Sequence, residues 1–145
     1  MKLFLIIFLS ISISFSVIGQ EKSSDKLLVG FACGESGNPT PLVEKMSELI
    51  KDKKYIEIIS LLDSNNSGEI YLAILIIERL VNKGLYKLNE RQNTLISRLK
   101  TSPIPVRNCL GCFTETHTMT EMFKEDDFIE ENDWLDKILP IAQPF

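Results

Sequence analysis

"EIYLAILIIERLVNKG", residues 69–84, decides how this chain folds. From Ile70 to Ile77 every side chain is apolar. A helix that is apolar all round must be covered on most sides, so this segment predicts the centre of a helical core. Ser67 is the expected cap at its start. Gly84 stands where a left-handed residue ends a helix.

Upstream, Pro41 suits a first helical position and Thr40 the cap before it. Leu42, Val43, Met46, Leu49 and Ile50 then fall on one helical stripe. After "KDKK", a short helix is expected from about Tyr55 to Leu62, with Asp52 as its cap. Downstream, Asn89 and Gln92 have capping-box spacing ahead of Leu95, Ile96 and Leu99. Pro103 and Pro105 end that helix.

The turn before the apolar helix, "DSNNSGEIYLAI", imitates a calcium loop. Asp63, Asn65, Ser67, Gly68 and Ile70 occupy EF-hand places. The twelfth place, which needs a bidentate Glu to close the sphere, is Ile74. A helix–helix turn accounts for the same residues without calcium.

The segment "YIEIISLLDSNNSGEIYLAILIIERLVNKGL", residues 55–85, resembles αα-repeats of the HEAT-like kind. Those repeats end one helix in "LL", turn through Asn, Ser and Gly, and enter a buried helix of the "YLA" type. The likeness covers about residues 41–100, or one and a half to two repeats. The chain also resembles small exported bacterial proteins that join such a helix pair to a C-terminal CxGC segment. The resemblance implies a short αα-solenoid-like core, mainly α, and supplies no activity. Solenoids usually need about three repeats, so the flanking segments are expected to close both ends.

Residues 1–19, "MKLFLIIFLSISISFSVIG", carry Lys2, an apolar run and a small-residue exit. That is a signal-peptide layout, with cleavage expected between Gly19 and Gln20. A membrane anchor is disfavoured by the run's shortness and its serines. The expected organisation is a signal peptide at 1–19, a polar and extended segment at 20–40, a helical core at 41–102 and a cysteine-bearing acidic extension at 103–145. The product is expected to be exported, periplasmic or secreted, and free of the membrane after cleavage.

The formal charge is −4, concentrated late in the chain. Between Glu121 and Lys137 eight acids face two lysines, whereas residues 20–120 hold twelve acids and thirteen bases. With no basic patch interleaved with aromatics, nucleic acid is excluded as a partner class. The acidic run reads as a solvated face rather than a cation site. Oligomeric state is left open, and another protein is the expected partner class.

Three cysteines remain: Cys33, Cys109 and Cys112. "CLGCF" is not a haem attachment site, because Phe113 stands where His is needed. A thioredoxin-like pair wants a helix after the motif, and "FTETHTMT" alternates as a strand or ordered loop does. Cys33, Cys109, Cys112 and His117 have the composition of a zinc set, but an oxidising location opposes reduced thiolates. The favoured reading is a disulfide, either Cys33 to Cys109 or Cys112, or Cys109 to Cys112. His117 is the single histidine and has no recognisable triad partner. The expectation is a non-catalytic structural or interaction module without a cofactor. The alternative is a thiol-redox or zinc-binding protein.

Overall fold

A computed structural model describes residues 27–124 and 129–139. The expected signal peptide and its cleavage site lie outside the described residues, as do residues 20–26 of the polar and extended segment. The elements are α1 (Pro41–Lys51), α2 (Tyr55–Ser60), a 3-10 turn (Leu61–Asp63), α3 (Ser67–Asn82) and α4 (Glu90–Lys100). They are followed by β1 (Pro105–Leu110), β2 (Phe113–Thr118), α5 (Met119–Met122) and α6 (Ile129–Ile138). The described chain is thus mainly α, with one two-stranded antiparallel sheet.

α3 is the hub. Tyr71, Leu72, Ala73, Ile74, Ile76, Ile77 and Leu80 are wholly buried. The helix packs on α1, α2, the 3-10 turn and β1. Each fully buried Leu or Ile contributes about 1.5–3 kcal/mol of transfer free energy. The expected stripe on α1 is buried at all five positions. Val106 of β1, Met119 and Met122 of α5, and Leu135 and Leu139 near the chain's end join the same core.

The helix ends show which local signals were decisive. Asn89 and Gln92 form the expected capping box on α4. Gly84, with φ +67°, ends α3, its N–H bonding Val81 O and the next N–H bonding Leu80 O. Three expected caps are corrected. Asn66, not Ser67, caps α3, accepting from Gly68 N at 2.9 Å, while the Ser67 hydroxyl donates to Pro105 O at 2.6 Å. Thr40 does precede α1, but its hydroxyl donates to Leu28 O at 2.8 Å. Asp52 ends α1 instead of starting α2, and α2 gives way to the 3-10 turn at Leu61. In each case a tertiary acceptor or the preceding helix took the group that local spacing had assigned to a cap.

Polar contacts fasten α6, among them a bond from the Tyr71 hydroxyl to Glu131 at 3.4 Å. Arg79 of α3 donates to Asp136, and its second nitrogen to Asn132 at 3.3 Å. The Trp134 indole donates to Ser47 Oγ at 2.9 Å, and its ring meets Phe31 at 5.1 Å between centroids. Trp134, Leu135, Ile138 and Leu139 therefore face inward as expected, with Leu135 and Leu139 the fully buried pair.

Candidate functional site: the cysteine corner

The alternating sequence from Pro105 to Thr118 is a hairpin. β1 and β2 pair from Pro105 against Thr118 to Leu110 against Phe113. The turn is Gly111–Cys112. Gly111 has φ +54°, the region that the first position of such a two-residue turn requires. The "CLGC" motif is therefore a strand end and its turn, not a helix start. That removes the helix N-terminus on which a thioredoxin-like thiol depends.

The segment before α1 runs beside β1. Val29 N–H bonds Arg107 O at 2.9 Å, and Cys109 N–H bonds Val29 O at 2.8 Å. At the turn, Gly111 N–H bonds Ala32 O at 2.9 Å and Gly34 N–H bonds Gly111 O at 2.7 Å. These backbone bonds bring Cys33 onto Cys109. The two are disulfide-bonded, with Cα atoms 5.8 Å apart across 76 residues of sequence. Gly30 lies directly beneath the bond. A Cβ there would strike Cys33 Sγ and come within 2.7 Å of Cys109 Sγ. A residue without a side chain is required at this close approach.

Cys112 is the one unbonded cysteine of the three, and it is exposed. On either side of the turn, Leu110 is 60% and Phe113 75% exposed. His117 lies farther along β2, opposite Val106, with its ring nitrogen 2.9 Å from Glu115 Oε2. Of the zinc set, only Cys33 and Cys109 are brought together, and their sulfurs are bonded to each other. Among the described residues no three His, Cys, Asp or Glu side chains gather as metal ligands would.

At the imitation calcium loop, the carboxylate that turns inward is Glu69, not Asp63. Glu69 receives Lys45 Nζ at 2.7 Å and Ser64 Oγ at 2.5 Å. Partial burial pushes its carboxyl up, but the hydrogen bonds from Lys45 and Ser64 and the lysine charge outweigh that and hold it below its ordinary value. The loop's polar groups are thereby used in a turn, and Ile74 is buried in the core.

Two open clefts lie elsewhere. One, of about 600 Å³, follows the α3–α4 connection along Val81 and Gly84 to Leu88. The other, of about 520 Å³, sets Arg91 and Arg98 beside Asp63 and Glu90, so its charges offset one another.

Among the described residues no helix is long and apolar enough to cross a membrane. Compared with known protein families, curated proteins and solved structures, the chain matches none. Sequence reasoning missed the exposed apolar pair Leu110 and Phe113. Their position immediately before and after the Gly111–Cys112 turn was the available signal, since a turn's flanking residues have little core to reach.

Proposed function

We propose that this chain is a small exported, non-catalytic protein-interaction module whose Cys33–Cys109 bond is structural. The observation that carries this reading is the placement of that bond. It lies over Gly30, joins the strand-like segment before α1 to the end of β1, and is flanked by backbone hydrogen bonds on both sides. A bond built into the backbone in this way acts as a staple, and disulfides of this kind belong to oxidising compartments. The HEAT-like reading of residues 41–100 is part of the proposal. It is supported by the succession of α2, an Asn/Ser turn and the buried α3.

The test is a thiol count on protein recovered from the exported fraction, with N-terminal sequencing of the same sample. One alkylated cysteine before reduction, three after it, and a start near Gln20 are expected. Three free thiols on a chain beginning at Met1 would overturn the reading.

A thiol-redox function is the second reading. Its specific support is the exposed Cys112 thiol three residues from the bonded Cys109. It requires that Cys112→Ser abolish disulfide reduction in a standard exchange assay. The structural reading expects no such activity in either protein.

A further inference from the structure

The outer edge of β2 carries a self-complementary pattern. Val29 bonds Arg107 and Cys109, so these two turn their backbone groups away from β2, and Val106, Asn108 and Leu110 turn theirs toward it. Their partners His117, Glu115 and Phe113 therefore bond inward. Thr114 and Thr116 direct their N–H and C=O groups to the outer edge. Among the described residues no backbone group pairs with them there. From Phe113 to Glu115 and at Thr116 the strand is exposed. It also lacks the Pro, Lys or bulge with which edge strands are usually blunted.

The sequence at this edge is "TETHT", residues 114–118. It reads the same in both directions about Thr116, except that Glu115 and His117 exchange places. We propose that β2 pairs antiparallel with β2 of a second copy of this chain, on a two-fold axis at Thr116. The parity fits, because Thr116 is an outward-bonding residue and would exchange both hydrogen bonds with its counterpart. Thr114 would then lie opposite Thr118. Glu115 would lie opposite His117 of the other copy, in the close pairing where side chains approach most nearly. The same symmetry makes each Glu–His contact occur twice. One sheet of four strands would result.

This deepens the interaction reading by naming the partner, and rests on it. A monomeric chain with the Cys33–Cys109 bond intact overturns the inference alone. A chain with three free thiols overturns the earlier reading alone.

Sedimentation on a Cys112→Ser background, which excludes covalent pairing through that thiol, tests the proposal. Concentration-dependent dimerisation is expected, and Thr116→Pro should abolish it. Proline at that position removes only an outward N–H and leaves the hairpin's own ladder complete. E115K alone and H117E alone should each weaken association about five- to tenfold, H117E by placing Glu opposite Glu and E115K by removing the carboxylate that faces His117. An equimolar mixture of the two should restore it, since Lys would then meet Glu across the axis. Three outcomes would overturn the proposal: a wild-type edge that stays monomeric up to about 1 mM, a mixture no tighter than either variant alone, or a monomer that instead takes up an unrelated extended peptide.

Discussion

Cys33 and Cys109 are 76 residues apart in sequence and 5.8 Å apart at their Cα atoms, and the bond between them crosses above Gly30. This ties the segment that precedes the helices to the hairpin that follows them. Closing a loop of this length stabilises by about 4 kcal/mol in the chain-entropy account. Cys33→Ser should therefore lower unfolding free energy by about that amount in denaturant titrations under oxidising conditions. Gly30→Ala should destabilise without removing either cysteine, because its methyl group meets the sulfurs. If Gly30→Ala unfolds at the wild-type midpoint, the close packing at this corner is refuted.

Two isoleucines give a matched test of the core. Ile76 of α3 is wholly buried, and Ile56 of α2 is 76% exposed. Ile76→Ala should cost about 2–5 kcal/mol, the range for truncation in a packed core. Ile56→Ala should cost under about 0.5 kcal/mol. Leu75 was expected to share the burial of its neighbours, but it is only partly covered, so its truncation should fall between these values. Equal losses at Ile76 and Ile56 would contradict the placement of α3 as hub.

Lys53, the residue after the Asp52 cap of α1, lies in the left-handed region, with φ 56°, the one non-glycine residue so placed among those described. Its N–H bonds Ile50 O and the following N–H bonds Leu49 O, the arrangement that usually recruits glycine. A side chain in that conformation carries a steric cost of about 1 kcal/mol or more. Lys53→Gly should raise the melting temperature, by up to about 1 kcal/mol of stability. A fall in stability would show that the lysine side chain contributes more than its backbone costs.

Glu69 links folding to pH. Its folded carboxyl is held below the ordinary value, so the folded state binds its proton less readily than the unfolded chain. Its contribution is therefore complete above the ordinary carboxylate pKa and is lost as pH falls through the depressed one. Glu69→Gln should lower stability at neutral pH and flatten the acid limb of the stability profile. Lys45→Ala should act in the same direction, since Lys45 is one source of the depression. An unchanged acid limb in both variants would remove Glu69 from the account.

Much of the helical half was legible because its signals are local. The apolar run in α3, the five-residue stripe on α1 and the Asn89–Gln92 box each act over one or two turns of chain, and each stands where the spacing put it. Asp52 was claimed by the end of α1, and the cap bonds expected of Thr40 and Ser67 failed for one physical reason. A hydroxyl bonds the best acceptor within reach, and for Thr40 and Ser67 that was the carbonyl of a residue in another segment. Arg79 behaves alike, since its place on the buried helix is tolerable only because α6 brings Asp136 and Asn132 to it.

For the cysteine corner, sequence alone determined the choice of residues: three cysteines, with a disulfide from Cys33 to one of the later pair among the favoured pairings. It also determined that Phe113 excludes haem attachment and that Ile74 cannot close a calcium site. Only the tertiary structure decided that Cys109 is the partner and Cys112 is left exposed. The reason is strand direction. Val29 bonds the edge of β1 and Ala32 bonds Gly111 of its turn, so Cys33 arrives level with the hairpin's end, where Cys109 lies inward and the Gly111–Cys112 turn carries the third thiol outward. Pairing across 76 residues depends on which backbone groups meet, and no spacing within either segment contains that information.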